Sequence, residues 1–216
     1  MTTNNSLVIA SISDNGADLA SIDATLNSFP KHRIDNINWP DVYDYAPDAQ
    51  FAIAHSSSHL YVKFYVTGED LRAVNDKNLS PVAQDSCVEF FLQVPGSAEY
   101  WNFEFNCIGT VNASHRIERP NAIRLNDEEI ASIGRLSSCG NLPFDEKTGI
   151  HEWTLTIAIP FSLIGIDHSN IPSHIMGNLY KCGDKTSHPH YLSWSPIGTE
   201  KPNFHIPKFF GKLEMK

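Results

Sequence analysis

The chain has 216 residues, of which 41% are hydrophobic and 19% charged, and this composition is typical of a globular domain rather than a disordered segment. Sixteen basic side chains against 25 acidic ones give a formal net charge of −9, the wrong sign for binding a nucleic-acid backbone or an anionic membrane. No apolar run is long enough to span a bilayer, and the sequence contains no linker or internal repeat. We therefore expect one domain over residues 1–216.

The N-terminus and the cysteines both favour a reducing compartment. The first ten residues have no basic region and no sustained apolar stretch, so they do not resemble a secretory signal. Cys87, Cys107, Cys139 and Cys182 are widely spaced and form no CxxC pair, so their spacing does not favour a zinc or redox motif. We expect a cytoplasmic protein with four buried free thiols.

The first clear β pattern is a hairpin over residues 51–67. Residues 51–55 and 59–67 are rich in β-branched and aromatic side chains, and the three serines between them are typical of a turn. Leu60, Val62, Phe64 and Val66 alternate with polar or amphipathic residues, which predicts one buried face. The segment 68–73 that follows predicts a single helical turn.

A second hairpin is predicted from residues 86–94 and 100–108, which flank a Pro-Gly-Ser turn. In the second strand, apolar side chains alternate with Asn102, Glu104 and Asn106, so the strand has a polar stripe on the back of an apolar one.

The rest of the chain continues the β pattern. Residues 111–148 are irregular and predict only an edge strand at 131–136, while Phe161 to Ile164 predicts a helical turn; further strands are expected at 151–159, 175–182, 191–194 and 208–215. The fold class expected is all-β, an antiparallel two-sheet β-sandwich of the immunoglobulin-like or jelly-roll-like type. Its core should contain Val62, Phe64, Phe90, Phe103, Phe105, Leu155 and Ile157, with Trp39, Trp153 and Trp194 also in the interior.

None of the common catalytic motifs is present: the sequence has no GxGxxG, P-loop, HExxH, GxSxG or EF-hand loop. His188 and His190, with Asp184, His174 and His205, could form a metal cluster, but histidines that flank a proline in a loop are interpreted here as surface residues.

Glu89 and Glu104 lie on adjacent predicted strands and leave three alternatives open. They could be the acid and base of a glycosidase, or they could accept hydrogen bonds from sugar hydroxyls without any chemistry. Glu89 could also form an ordinary ion pair with a lysine or arginine.

Five segments in the same order resemble the family 9 carbohydrate-binding modules, in particular the stand-alone, single-domain branch of that family, and the resemblance runs from about Ile34 to Leu213. The segments are residues 85–92 (DSCVEFFL), 102–107 (NFEFNC), 178–184 (NLYKCGD), 192–196 (LSWSP) and 202–211 (PNFHIPKFFG).

The resemblance implies a β-sandwich that clamps the end of a sugar chain between two tryptophans. Glu89 and Asn106 match the family glutamate and asparagine, but Glu104 stands where the family has arginine. The two clamp tryptophans fall on Ala83 and Phe204, so half of the aromatic clamp is missing, and Trp101 or Tyr100 could supply a substitute. The family glutamine falls on Tyr180 or Lys181. The ligand-binding residues expected are Glu89, Glu104, Asn106, Tyr180, Lys181, Phe204 and His205.

Family members also carry structural calcium, for which Asp41, Asp44 and Asp48 are the candidates, although no cofactor is expected to be required.

The leading hypothesis is that the chain is a non-catalytic, monomeric protein that binds the end of a mono- or oligosaccharide. The alternatives are a glycan-processing enzyme that uses Glu89 and Glu104, and a sandwich module that has been repurposed for protein interaction.

Overall fold

Strands dominate the computed structural model, which describes residues 4–216: 44% of the residues are in strands and 9% in helices, which confirms the all-β prediction. The strands are β1 (Ser6–Ser11), β2 (His32–Arg33), β3 (Asn36–Ile37), β4 (Asp48–His55), β5 (His59–Ala73), β6 (Cys87–Gln93), β7 (Tyr100–Asn106), β8 (Val111–Arg116), β9 (Ile123–Arg124), β10 (Gly134–Ser137), β11 (Phe144–Pro160), β12 (His174–Cys182), β13 (Tyr191–Ser193) and β14 (Gly211–Met215). The helices are α1 (Leu19–Leu26), α2 (Asp127–Ser132) and two 3₁₀ turns, Val82–Gln84 and Pro207–Phe209.

The strands form two layers that β1 joins. One layer has the order β9-β8-β7-β6-β12-β14, with β13 beside β12 and β3, and the other has the order β10-β11-β5-β4, with β2 beside β4. β1 pairs with β14 along residues 6–9 and then with β4 along residues 10–11. Both of these pairings are parallel, whereas the remaining pairs of described strands are antiparallel as expected.

The main core lies between the two layers. Its members come from the apolar face of each strand and include all seven side chains predicted from alternation: Val62, Phe64, Phe90, Phe103, Phe105, Leu155 and Ile157. Because side chains alternate between faces along a strand, the period of two in the sequence was sufficient to identify this surface.

The outer face of the β4–β5 layer is covered by α1, which the sequence analysis did not predict. Asp18 caps the helix by accepting a hydrogen bond from the Ser21 amide at 2.8 Å. Ile22 and Leu26 then pack on Ala52, Ala54, Tyr61 and Ala158 in a small second core. The helix has only eight residues and two buried apolar side chains, which is too short a pattern to stand out from its surroundings.

Two local predictions were wrong. The helical turn expected at 68–73 is instead the continuation of β5, which pairs with the first half of β11 across two register shifts. The Ser86 hydroxyl holds this extended backbone, since it donates to the Asp70 carbonyl and accepts from the Arg72 amide, both at 3.0 Å. The edge strand expected at 131–136 begins only at Gly134, because α2 occupies the preceding residues through an N-terminal capping box.

The outer face of the β6–β7–β12 layer carries the candidate site. A second apolar cluster covers part of this face and includes Trp39, Tyr100, Tyr180, Phe204 and Phe210. None of the helices within residues 4–216 is long and apolar enough to cross a membrane.

Candidate functional site

A cleft of about 190 Å³ opens on the outer face of the β6–β7–β12 layer. Its floor is formed by side chains of these strands. Its walls are formed by the 3₁₀ turn before β6, the start of β13, and loop residues before β9, after β12 and before β14. The lining residues are Ala83, Glu89, Glu104, Arg119, Cys182, Asp184, Tyr191, Pro202, Asn203, Phe204 and His205.

Two buried carboxylates form the floor. Glu89 on β6 and Glu104 on β7 are directly opposite in the antiparallel register, so both side chains leave the same face of the sheet. The Glu104 carboxylate is held by two amides at 2.9 Å, because Asn102 donates to Oε1 and Asn112 donates to Oε2. Burial raises the pKa of Glu104, while these hydrogen bonds act in the opposite direction.

Glu89 is held less completely than Glu104. Its Oε1 accepts a hydrogen bond from the Cys182 thiol at 3.2 Å, and no donor within residues 4–216 bonds to Oε2. Burial raises the pKa of Glu89 well above its ordinary value, and the neighbouring Cys182 and Glu104 act in the same direction. No ion pair in the described part of the chain includes either glutamate, so the ion-pair alternative for Glu89 is wrong. A polar ligand in the cleft can therefore satisfy Oε2.

Phe204 forms an aromatic wall of the cleft. Its ring stacks on Tyr180 with centroids 4.1 Å apart and planes 8° apart, and the Tyr180 hydroxyl donates to the Phe204 carbonyl at 3.2 Å. Trp39 and Tyr191 pack around the same ring at 6.2 and 6.1 Å. Phe204 is 9% exposed, so it presents a small, rigid apolar surface rather than an open platform.

His205 lies beside this wall and is neutral. Its Nδ1 and the Tyr100 hydroxyl form a hydrogen bond at 3.1 Å, and its ring packs against Phe91. Burial, together with the charges of Arg116 and Arg119, lowers the pKa of His205 to about 3.

Sequence reasoning missed four polar or aromatic residues of the cleft: Arg119, Asp184, Tyr191 and Asn203. All four lie at or beyond the ends of strands, where alternation gives no signal. Arg119 is placed by Arg116, whose guanidinium donates to the Arg119 carbonyl at 2.9 Å. Its own guanidinium is exposed and takes part in no ion pair of the described chain.

Three of the seven predicted ligand-binding residues do not line the cleft. Asn106 is fully buried and bonds to the Asn75 carbonyl, the Asp85 carboxylate and the Thr110 amide, so it has no free polar atom for a ligand. Tyr180 lies beneath Phe204 and supports it. Lys181 points to the opposite side of β12, where its ammonium donates to the Cys182 carbonyl and to His190.

The aromatic clamp is incomplete, as the sequence indicated. Ala83 lines the cleft where the resemblance places a tryptophan. Trp101 is not a substitute, because it lies on the opposite face of β7 and packs against His115 and the main core. Tyr100 is fully buried and acts only through His205.

The three aspartates named as calcium candidates do not fit a shared ion. The clusters of potential metal ligands within residues 4–216 include none of them. Asp48 Oδ1 instead lies 3.5 Å from the Arg33 guanidinium, which already compensates its charge.

The sequence model described as carbohydrate-binding family 9 matches residues 21–215, and the chain therefore belongs to this family, which confirms the predicted resemblance. The chain is also similar to a solved structure, a candidate carbohydrate-binding protein from Bacteroides uniformis ATCC 8492. The two are 33% identical, with a TM-score of 0.91, and the alignment covers 99% of this chain and 100% of the other.

Two further structures share the fold at lower identity. Both are family 9 carbohydrate-binding modules from Caldicellulosiruptor kristjanssonii. The protein in the glucose complex is 15% identical to this chain with a TM-score of 0.57, and the alignment covers 98% of this chain and 96% of the other. The protein in the cellotriose complex is 14% identical with a TM-score of 0.58, and the alignment covers 98% of this chain and 94% of the other. No curated protein matches the chain significantly in sequence.

Proposed function

We propose that this protein is a non-catalytic saccharide-binding module and that the cleft over Glu89 and Glu104 binds the end of a carbohydrate. The observation that carries the proposal is the buried Glu89 carboxylate with Oε2 unpaired beside an aromatic wall. A sugar ring has hydroxyls for such an acceptor and an apolar face for Phe204. The family and the glucose and cellotriose complexes of its distant relatives support the same ligand class.

The size of the cleft supports recognition of a chain end. Sites for drug-sized ligands usually occupy about 300–1,000 Å³, and about 190 Å³ is smaller than that range. A terminal sugar residue fits such a space better than the interior of a polysaccharide. With only one aromatic wall, binding should be weaker than in a complete clamp, since each aromatic contact contributes about 0.5–1.5 kcal/mol beyond area burial.

Arg119 supplies the positive charge for ligand binding that an arginine supplies in the family at the position of Glu104. Its exposed guanidinium lies at the cleft and is free to donate to ligand oxygens, and it is well suited to paired hydroxyls because its donors are fixed in a plane.

The glycosidase alternative is disfavoured by the surroundings of Glu104. In a glycosidase one carboxyl group donates a proton and the other acts as nucleophile or base. Both oxygens of Glu104 instead accept hydrogen bonds from the amides of Asn102 and Asn112. We further propose a monomeric cytoplasmic protein formed by a single domain, with no required cofactor and no nucleic-acid partner. The protein-interaction alternative predicts no saccharide binding at all.

The test is a glycan array followed by calorimetry on the strongest hit, in buffer that contains a chelator. Glu89→Met removes both carboxyl oxygens at similar volume and should weaken binding roughly 10- to 100-fold, because a buried sugar hydroxyl left without its acceptor costs about 1–3 kcal/mol. It should leave the free energy of unfolding unchanged or raise it, since a buried acid no longer has to be desolvated.

Glu152→Met is the matched control, because Glu152 is exposed on the other layer of the sandwich. It should leave affinity unchanged. If Glu89→Met instead destabilises the fold and preserves affinity, Glu89 has a structural role and the proposed site is wrong. If no array glycan binds, the protein-interaction alternative is favoured.

A further inference from the structure

Two cysteine thiols meet beneath the cleft, and one of them, Cys182, lines it. Cys87 on β6 and Cys182 on β12 are directly opposite in the antiparallel register. Their sulfur atoms and a carboxylate oxygen of Glu89 all lie within 4.8 Å of one another. The three residues are 0%, 1% and 4% exposed, so this cluster is built into the sheet rather than formed by mobile surface groups.

The geometry of the cluster suits a zinc-like ion. In tetrahedral zinc sites the Zn–S distance is about 2.3 Å and the Zn–O distance about 2.0 Å, which puts the ligand atoms roughly 3.5–3.8 Å apart. The distance from Cys182 Sγ to Glu89 Oε1 is 3.2 Å and all three ligand atoms lie within 4.8 Å of one another, so side-chain rotations can bring them to these distances. Two sulfur ligands exclude calcium and magnesium, which prefer all-oxygen sites.

The charge of the cluster can be balanced when an ion replaces the protons of both thiols. Two thiolates and a carboxylate supply three negative charges, so a divalent ion leaves one negative charge to be compensated. Lys181 is buried on the back of β12, with its ammonium 2.7 Å from the Cys182 carbonyl and 2.8 Å from His190 Nε2. Within residues 4–216 it has no carboxylate partner at ion-pair distance. Burial lowers the pKa of Lys181, whereas the nearby cysteines and Glu89 act in the opposite direction, so negative charge in the site favours the charged ammonium.

We propose that Cys87, Cys182 and Glu89 form a three-ligand site for Zn²⁺ or a similar thiophilic divalent ion. Cys182 and Glu89 both line the cleft, which gives the ion an entry path and leaves its fourth position open to water or to a ligand oxygen. Each thiol releases its proton to solvent when the ion binds. The site shares Glu89 with the proposed saccharide site but does not depend on saccharide binding.

The test uses the full chain, reduced and freed of metal, titrated with Zn²⁺ by calorimetry and with Co²⁺ by absorption spectroscopy. We expect one ion per chain and thiolate-to-cobalt charge-transfer bands. Cys87→Ser and Cys182→Ser should each weaken binding of the ion by more than ~10- to 100-fold, which is the loss typical of substitutions outside the set of direct ligands. Cys107→Ser and Cys139→Ser are matched controls, because these cysteines lie elsewhere in the fold, and should bind normally.

Each outcome decides the proposal. A wild-type cobalt complex without charge-transfer bands would overturn it, even if a serine variant fails to fold. Zinc binding that survives both Cys87→Ser and Cys182→Ser would place the ion elsewhere and would also overturn it. The saccharide titrations in chelator report separately on the proposed function, so failure of one proposal does not imply failure of the other.

Discussion

At the scale of single residues, the site was predicted in part. Glu89, Glu104, Phe204 and His205 line the cleft as expected, whereas Asn106, Tyr180 and Lys181 do not. Alternation puts Glu104 on the polar face of its strand, and the family resemblance identified Glu89 on the adjacent strand. Arg119 gave no such signal, since it lies in the turn after β8, where the Arg116 guanidinium holds its carbonyl, and alternation does not extend into a turn. Cys87 and Cys182 were also missed as a pair, because they are far apart in sequence and only the register of β6 and β12 brings them together.

Restoring the missing clamp residue tests the orientation of the ligand. Ala83→Trp puts an aromatic ring into the cleft wall, where the family resemblance expects one. If the sugar lies between this position and Phe204, affinity should rise about 2- to 10-fold, the equivalent of about 0.5–1.5 kcal/mol for an added aromatic contact.

The matched control for this substitution is Ala98→Trp, at an exposed position in the turn between β6 and β7. Calorimetry with the same glycan should find its affinity unchanged. A weaker Ala83→Trp complex would mean that the ligand occupies the space of the new indole, which would contradict the clamp arrangement.

At the scale of elements, the strands that carry the core were predicted well and the irregular segments poorly. Both hairpins appear as β4–β5 and β6–β7, because alternation and turn residues are local signals. The extension of β5 to Ala73 depends instead on pairing with β11, which is distant in sequence. Tertiary pairing therefore overrode the local helical preference of residues 68–73.

The packing of β14 predicts a strong effect at Gly211. A Cβ atom there would lie 2.5 Å from the Trp194 ring and 2.6 Å from the Asn5 carbonyl oxygen, closer than any relaxed contact. Gly211→Ala should therefore lower the free energy of unfolding by about 1–3 kcal/mol, as overpacked cores do.

Gly198→Ala is the control, because its added Cβ would meet the Phe209 ring at an ordinary 3.6 Å. Urea denaturation of both variants compares the two effects directly. Equal stabilities would show that the chain around Gly211 relaxes freely, contrary to the tight packing between β14 and β1.

At the scale of the whole molecule, ionisable groups are buried on both sides of the β6–β7–β12 layer. Glu89 and Glu104 lie on the cleft side, whereas Lys181 and His190 lie on the side facing the other layer. Burial also lowers the pKa of His190 well below its ordinary value, so it stays neutral. Such groups are costly to bury and are typical of sites that bind ligands, so they link the function to the stability of the fold.

His205 makes this link measurable through the pH dependence of stability. The groups that face it are the Tyr100 hydroxyl, Arg116 and Arg119, and its pKa is lowered to about 3 from an ordinary value of 6.5. As the pH falls below 6.5, the unfolded chain takes up a proton that the folded protein rejects, so the free energy of unfolding decreases until about pH 3. For one such group the loss is on the order of a few kcal/mol.

His205→Gln keeps a hydrogen-bond partner for Tyr100 but does not titrate, so it should lose less stability than the wild type between pH 7 and pH 4. Urea unfolding at both pH values measures the difference, with His168→Gln, whose side chain is 82% exposed, as a control that should follow the wild type. Equal losses in the wild type and His205→Gln would show that His205 is protonated in the folded protein, and that the cleft is more hydrated than its packing indicates.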